Sequence, residues 1–365
     1  MSTSEYDSLR PPDLGRRGGK RRRRRAGRTG AGQGGDGTRE MPMVPEPEFT
    51  SYYGRPVVKP APWGPEIAGY LFFGGLSAGS ALLGLGARLT RRPKLRRNAR
   101  LSAMGAAGAG LGLVVADLGR PERFLNLLRT VKVTSPMNLG AWIFSAFTTG
   151  VAVTTASEVD RLTGERLPLG PLRRLLHGLE DPAAMGSALL APPLAVYTAV
   201  LLSDTSTPTW NAAREDLPFV FAASGSMAAG GLAMLTTPVG EAGPARGLAV
   251  IGAAGDLAAT TVMERRMDPI AAEPLHQGRA GTMLAVSKAL TAVGGLGALV
   301  GGRNRGIAAG SGLALVAASA LTRLGVLEAG IASAKDPRYT VEPQKNRLAK
   351  RRADGTTDDS ITTVD

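Results

Sequence analysis

Three ionisable side chains lie within long apolar stretches of the sequence, where a charge is costly to bury. Asp256 and Lys288 fall at about the same depth on two consecutive stretches, and Arg323 lies near the end of the last one. Ionisable groups inside a hydrocarbon layer pair with one another or serve ion, proton and ligand sites. Two interpretations stay open: Asp256 and Lys288 form a buried ion pair that fixes helix register, or they line a proton path or ligand pocket with Arg323.

Two further polar side chains lie near the ends of apolar stretches. Tyr70 falls about one turn into the first stretch, and Asp117 closes the second. A tyrosine hydroxyl can donate a hydrogen bond, and a carboxylate at a helix end can either exchange protons with water or pair with Arg120 or Arg123 as a cap. In an antiparallel array all these groups fall toward the same side, so we expect the buried polarity to gather in one half of the bilayer.

The side chains that usually hold metals are scarce in this sequence. It has no cysteine, which excludes disulfides, thiolate zinc sites and cysteine-bound iron–sulfur clusters within the chain. Its two histidines, His177 and His276, fall in predicted loops, whereas a membrane haem held by two histidines needs both on facing helices. There is no phosphate-binding loop and no nucleophile with a base. We therefore expect no catalytic residue, haem or metal site, and any redox chemistry must come from a diffusible organic molecule or from partner subunits.

Eight apolar segments must position these groups. They cover about 67–88, 101–118, 138–157, 183–202, 217–236, 245–263, 281–302 and 306–327. The first carries 21 uncharged residues between Glu66 and Arg88, enough at about 1.5 Å per residue to cross roughly 30 Å of hydrocarbon. Soluble surface helices need a charged stripe, which these segments lack. The sequence predicts an all-α integral membrane protein with eight transmembrane helices in residues 66–330.

The ends of the chain differ in composition from the apolar part. Residues 1–45 read as a disordered basic tail, 46–65 as a proline-punctuated juxtamembrane segment, and 331–365 as a disordered C-terminal tail. The net charge is +14, but no aromatic residues are interleaved with the basic run. We therefore expect no nucleic-acid binding and place the tail near anionic membrane lipid. Tyr52, Tyr53 and Trp63 are predicted at the level of the lipid headgroups.

An even number of spans puts both termini on one side of the membrane, called here the terminal side. The short loops on the opposite side carry more lysine and arginine, most of all the loop between the first two segments. By the positive-inside rule that loop is cytoplasmic. The sequence thus predicts a multi-pass protein of the plasma membrane with extracytoplasmic termini.

Two strings are specific enough in combination to suggest a family. WGPEIAGYLFFGGLSAGSALLG and VVADLGRPERFLNLLRTVKVTSPMNLGAWIF resemble the NrfD/polysulfide-reductase membrane subunits, a likeness strongest over residues 49–145 and extending to about 330. The resemblance implies two four-helix bundles without haem and a quinone site in the first bundle. It also implies a docked four-cluster iron–sulfur subunit that connects to a molybdopterin catalytic subunit containing molybdenum or tungsten.

The resemblance assigns roles to individual positions. Tyr70 stands where the family places a polar residue near the quinone head group, although some members have histidine there. Asp117 matches the family's acidic position, and Tyr197 a tyrosine position. The segment with Tyr52 and Tyr53 and the loop with Arg120 are then the docking surface for the iron–sulfur subunit.

The function that follows is a quinone-reactive membrane anchor of a respiratory oxidoreductase. It would pass electrons between the iron–sulfur subunit and menaquinone or ubiquinone. Three alternatives remain: a passive anchor without a quinone site, a proton-moving subunit that uses Asp256, Lys288 and Arg323, and a stand-alone transporter. A transporter is expected to show an internal repeat with broken helices, and the sequence has no convincing repeat.

Overall fold

The computed structural model of the chain describes residues 56–118, 126 and 128–355. Within these ranges the protein is all-α, with eleven α-helices, short 3-10 stretches and no strand. Eight of the helices are long and apolar enough to cross a membrane. The prediction of an all-α protein with eight transmembrane segments is therefore confirmed.

The helices follow one another with short connections. They are α1 (Pro65–Leu89), α2 (Pro93–Asp117), α3 (Pro136–Leu162), α4 (Leu172–Ser203), α5 (Pro208–Ala212), α6 (Leu217–Thr236), α7 (Gly243–Arg266), α8 (Pro269–Ala272), the 3-10 turn Glu273–Leu275, α9 (Gly278–Val300), α10 (Arg305–Lys335) and α11 (Arg338–Ala353). Proline at the first helical position begins α1, α2 and α3, where its missing N–H leaves no hydrogen bond unmade. Asn304 caps α10 by accepting hydrogen bonds from the backbone of Gly306 and Ile307.

Several membrane helices extend beyond the predicted apolar segments. Helix α2 begins eight residues earlier than expected, at Pro93, and α4 begins at Leu172 rather than near residue 183. Helix α3 ends at Leu162 and α10 at Lys335. Charged residues that were predicted in loops therefore lie on helices. Ion pairs with neighbouring helices offset the cost of bringing these charges close to the bilayer.

Helix α1 lies at the centre of the packing. It contacts α2, α4, α6 and α10, and 67% of its most apolar window is buried, compared with 28% for α9. Helices α1 to α4 contact each other in cyclic order, as do α6, α7, α9 and α10. The division into two four-helix bundles stays a prediction, because α1 also packs along α6 and α10, and α4 along α6.

Small residues allow α1 to approach its neighbours closely. A Cβ on Gly225 of α6 would lie 3.1 Å from the Cα of Gly75, so the two backbones touch where glycines face each other. On the other face of α1, the Ser77 hydroxyl donates a hydrogen bond of 2.7 Å to the carbonyl of Ala103 in α2. Lipid tails are as apolar as the helices, so no hydrophobic force drives the helices together within a bilayer. Close packing and interhelical hydrogen bonds hold them together instead.

A disordered tail is predicted over 331–365, but its described part, up to residue 355, is largely helical. Helix α10 continues to Lys335, and α11 follows it. Tyr339 and Pro343 of α11 are buried, and Arg338 forms ion pairs with Glu273 at 3.2 Å and with Glu342 at 3.1 Å. Two anchoring side chains and one bridging arginine suffice to dock a helix whose composition is otherwise that of a solvated tail.

Candidate functional site

Tyr70 lies where the first four membrane helices meet. Its ring packs edge-to-face against Phe144 of α3, with centroids 6.1 Å apart, and against Tyr197 of α4 at 6.5 Å. On α2, a Cβ built on Gly110 would lie 3.5 Å from the Tyr70 ring. The ring is 9% exposed. The structure thus brings together two of the three predicted quinone-binding residues, Tyr70 and Tyr197.

Gly140 of α3 provides the space for Tyr197. A Cβ at this position would collide with the ring of Tyr197, so any larger residue would push the tyrosine away from Tyr70. Gly140 belongs to the string SPMNLGAW, which carries part of the family resemblance. The sequence did not indicate this role, because Gly140 and Tyr197 are far apart in the chain and meet only where α3 packs against α4.

Asp117, the third predicted residue, lies apart from the tyrosine pair. It is exposed at the last position of α2, beside the start of α1 and close enough to Glu66 for their charges to repel. Tyr70 lies level with Gly110, seven residues earlier on α2, which is about 10 Å along the helix axis. Asp117 is therefore a surface carboxylate above the tyrosine pair, not a wall of the same pocket.

The predicted docking residues Tyr52, Tyr53 and Arg120 lie outside the described residues. Trp63, from the same approach segment, stacks on Trp210 of α5 with centroids 5.6 Å apart. The indole N–H of Trp210 donates a hydrogen bond of 2.7 Å to the carbonyl of Val326 in α10. Trp63 therefore holds the chain entering α1 against α5 and α10, which is a structural role in addition to its predicted place near the headgroups.

Arg323 is fully buried, deeper than the sequence indicates. It lies twelve residues before the end of α10 at Lys335, where we expected the helix to end four residues after it. Its Nη2 donates a hydrogen bond of 2.7 Å to the carbonyl of Phe221 in α6, and the guanidinium lies 3.6 Å from the centre of the Phe221 ring. A Cβ on Gly75 would approach the same Nη2 to 3.2 Å, so Arg323 lies where α1, α6 and α10 converge.

The ion pair predicted between Asp256 and Lys288 is replaced by a different one. The ammonium of Lys288 binds both carboxylate oxygens of Glu264, at 2.7 and 2.8 Å. Glu264 lies two turns closer to the terminal side on α7 than Asp256, and a lysine on a membrane helix extends its head toward the surface. Asp256 is 2% exposed and faces the charges of Arg323 and Lys288 without a direct hydrogen bond from either.

Several polar atoms around Asp256 and Arg323 lack a hydrogen-bonding partner among the described residues. They are Oδ1 of Asp256 and Nε and Nη1 of Arg323. Buried hydroxyls lie nearby along the helices: Ser224 and Ser319 are hydrogen-bonded at 2.8 Å, as are Ser287 and Thr322. Buried polar groups normally have partners. Asp256 and Arg323 therefore keep hydrogen-bonding capacity that no other described residue satisfies.

A second group of charges, which the sequence did not indicate, lies at the opposite ends of α1 to α4 and has three buried members at its centre. It contains seven charged residues, called here the arginine–carboxylate cluster: Arg88, Arg96, Arg100, Glu158, Arg161, Glu180 and Asp181. Arg100 binds Glu158 at 3.0 Å and Glu180 at 2.6 Å, with all three side chains at most 3% exposed. Arg161 binds Glu180 as well. The cluster connects α2, α3 and α4 by charge-assisted hydrogen bonds.

Asp160 extends the charged region toward the connection between α3 and α4. It is fully buried and accepts hydrogen bonds from Arg173 at 2.9 and 3.2 Å. The Nε2 of His177 lies 3.0 Å from the same carboxylate. His177 was predicted in a loop, but it lies on α4, since that helix begins at Leu172. Across the described residues, no three His, Asp or Glu side chains are grouped to hold a metal ion.

The arginine–carboxylate cluster corrects the expectation that buried polarity gathers in one half of the bilayer. Its residues fall just beyond the ends of the predicted apolar segments, where the sequence alone indicates loops. One signal was available in the sequence: the end of α3 and the start of α4 carry acidic and basic residues in similar numbers. Such a balance is typical of a paired network, but only the contacts distinguish pairing from solvation.

These features define a multi-pass helical membrane protein with a tyrosine pair among α1 to α4 and a buried Asp–Arg site beside it. The chain belongs to the NrfD family: the family model described as "Polysulphide reductase, NrfD" matches residues 57–242. The resemblance seen in the sequence is therefore confirmed. The matched range contains Tyr70, Asp117 and Tyr197, whereas Asp256, Lys288 and Arg323 lie beyond it.

A curated relative agrees with this family. The C subunit of the polysulfide reductase of Wolinella succinogenes is 31% identical over 173 residues, which cover 45% of this protein and 54% of that subunit. The protein thus spans about half the length of the curated relative that it matches.

Proposed function

We propose that this chain is the quinone-reactive membrane subunit of a multisubunit oxidoreductase. In this role it exchanges electrons between the membrane quinone pool and a four-cluster iron–sulfur subunit, which connects to a molybdopterin catalytic subunit. Membership of the NrfD family supports a membrane anchor in a reductase complex. The relative named as one subunit of polysulfide reductase supports assembly with further subunits.

The observation that carries the proposal is the contact between Tyr70 and Tyr197. A quinone carbonyl needs a hydrogen-bond donor at about 3 Å, and its two-electron reduction consumes two protons. Two phenol groups from different helices meet at one level, with Phe144 packed against Tyr70. The Tyr70 hydroxyl has no hydrogen bond to another described residue, so it is free to donate to a quinone carbonyl.

Each residue has a separate task in this proposal. Tyr70 and Tyr197 orient the quinone head group and donate to its oxygens. Asp117, about 10 Å nearer the terminal side, takes up protons from water and passes them inward through solvent. The docking surface for the iron–sulfur subunit then lies on the terminal side, with Tyr52, Tyr53 and Arg120 as proposed contacts.

Quinone content and turnover of the purified complex test the assignment. We expect Tyr70→Phe to retain assembly, to lose bound quinone and to lower quinone-coupled turnover by about tenfold or more, because one charge-stabilising hydrogen bond is removed. Tyr339→Phe removes the same hydroxyl from α11, outside the site, and is the matched control. Normal turnover and quinone content in Tyr70→Phe would refute the site and leave a passive anchor.

The second candidate function, movement of protons across the membrane, is supported by the partnerless atoms of Asp256 and Arg323. A buried carboxylate beside an arginine, with hydroxyls on the surrounding helices, can serve as a station for a proton that crosses the membrane. Vesicles containing the complex and a pH-sensitive dye test it. We expect Asp256→Asn to abolish quinone-linked acidification, whereas Asp204→Asn, at an exposed site, leaves it unchanged. Unchanged acidification in Asp256→Asn would contradict this candidate.

We also propose that the protein lies in the plasma membrane with both termini extracytoplasmic. The basic loop between α1 and α2 supports this orientation. The cations of α11, within about twenty residues of the last span, favour the opposite one. A reporter enzyme active only outside the cytoplasm, fused after residue 355, decides between them: activity supports the proposal and silence reverses it.

A further inference from the structure

An apolar groove lies on the membrane-facing side of α2 and α3, near the ends opposite the terminal side. Its volume is about 280 Å³. Met104 of α2, Ala152, Thr155 and Val159 of α3, and Leu167 and Leu169 of the connection to α4 form its walls. The loop that leads from α3 into α4 thus forms one wall of the groove near its outer end.

The walls offer a bound molecule almost no polar contact. The one hydroxyl among the residues just named belongs to Thr155, which donates it to the carbonyl of Arg100 at 3.2 Å. Thr155 therefore turns its methyl group to the groove. A quinone head group needs hydrogen-bond donors for its carbonyls, whereas a hydrocarbon chain needs none. The lining suits an acyl chain.

The arginines at this end of the molecule fall into two groups. Those of the arginine–carboxylate cluster, and Arg173 on Asp160, are each paired with an acid. Several others have no ion pair with another described residue. Among them are Arg97, whose Nε donates a hydrogen bond of 3.3 Å to the side-chain oxygen of Asn98, and Arg166, which is exposed. They are therefore positive charges that a ligand can neutralise.

Two of the arginines without an ion pair, Arg97 and Arg166, belong to the segments that line the groove. Arg97 precedes Met104 by seven residues, so it lies on the same face of α2, about 10 Å nearer the membrane surface. Arg166 is the neighbour of Leu167. An acyl chain in the groove would therefore emerge toward two guanidinium groups, which bind phosphate oxygens in pairs.

We infer that this groove, with Arg97 and Arg166 at its outer end, is a binding site for one anionic phospholipid. The acyl chain fills the groove and the phosphate contacts the two arginines. Because the loop before α4 forms one wall, a bound lipid fixes that loop against α2, next to Asp160 and Arg173. The site is separate from the tyrosine pair and does not depend on the proposed quinone chemistry.

Native mass spectrometry of the detergent-purified protein tests the site, with phosphatidylglycerol and phosphatidylcholine of identical acyl chains added in turn. We expect one phosphatidylglycerol per protein molecule to be retained at a collision energy that removes phosphatidylcholine. Bound phosphatidylglycerol should also raise the unfolding temperature by about 3 °C or more, since a ligand stabilises the state that binds it. Addition of a menaquinone distinguishes a lipid site from a site for the quinone tail.

Two double variants make the test specific. In Arg97→Gln/Arg166→Gln the preference for phosphatidylglycerol should disappear, with retained lipid falling at least fivefold. Lys94→Gln/Arg303→Gln, which removes two charges from the same side of the molecule, should behave as the native protein. Equal retention of both lipids by the native protein, a preference that survives in Arg97→Gln/Arg166→Gln, or displacement of the lipid by menaquinone would each overturn the inference.

Discussion

The rings of Tyr70 and Tyr197 meet edge-to-face with their centroids 6.5 Å apart. The two residues come from α1 and α4, and neither has a sequence neighbour that indicates the other. Their contact depends on a glycine in a third helix, since Gly140 leaves the space that the Tyr197 ring occupies. The proposed quinone site is therefore a property of the packing of α1 to α4.

Gly140→Ala is the sharpest test of that packing. The added methyl group would overlap the ring of Tyr197, so we expect a loss of about 1–3 kcal/mol in the free energy of unfolding. Quinone-coupled turnover should fall with it, because Tyr197 is displaced from Tyr70. Denaturant titration and turnover measure the two effects.

Gly108→Ala on α2 is the matched control for this substitution. A Cβ at Gly108 meets no atom within 4 Å, so alanine there should stabilise the helix slightly or leave it unchanged. If Gly140→Ala behaved like Gly108→Ala in both measurements, the Tyr197 ring would not occupy the space left by Gly140.

The arginine–carboxylate cluster predicts different costs for two adjacent amide substitutions. Glu180 is 2% exposed and binds Arg100 and Arg161, so Glu180→Gln should cost about 3–5 kcal/mol, because it removes a buried counter-charge that both arginines share. Asp181 binds only Arg88 and is 55% exposed, so Asp181→Asn should cost at most about 1 kcal/mol. Unfolding in a denaturant series compares them. Equal costs would mean that the cluster is solvated.

A double-mutant cycle can establish which charge Asp256 interacts with. We expect the coupling of Asp256→Asn with Arg323→Met to exceed its coupling with Lys288→Met, because Lys288 already binds Glu264. Couplings between contacting groups are typically about 0.5–3 kcal/mol. The free energies of unfolding of the single and double variants supply the measurement. A larger coupling to Lys288 would restore the ion pair predicted from the sequence.

The stacked tryptophans predict how the chain entering α1 is held. Trp63→Ala removes the ring that stacks on Trp210, which should loosen residues 56–64 without unfolding the membrane helices, since an aromatic pair contributes about 0.5–1.5 kcal/mol beyond burial. Faster hydrogen exchange confined to that segment is the expected result.

Trp142→Ala is the control for the stacking prediction. Trp142 lies at the start of α3, where its indole N–H donates to the carbonyl of Thr130. Its replacement should leave exchange in residues 56–64 unchanged. Slower or unchanged exchange in Trp63→Ala would show that the stack does not anchor the segment.

The sequence by itself determined the parts of the structure that follow from local composition. Eight long apolar stretches predicted the eight membrane helices, because only a helix satisfies its own backbone in hydrocarbon. The two strings around Tyr70 and Asp117 indicated the family. The predicted ends of the helices were less accurate. In α2, α3 and α4 the helix extends beyond the apolar segment, because ion pairs stabilise the charged residues that extend it.

The tertiary structure decided which polar groups meet. Lys288 binds Glu264 rather than Asp256, Asp117 lies above Tyr70 rather than beside it, and Arg100 joins two buried carboxylates that look like loop residues in the sequence. The physical reason is that pairing in a membrane depends on helix rotation and relative depth to within one turn. The packing of small residues such as Gly75, Gly110 and Gly140 sets the rotation and the depth of each helix. Neither quantity can be read from the pattern of residues along a single helix.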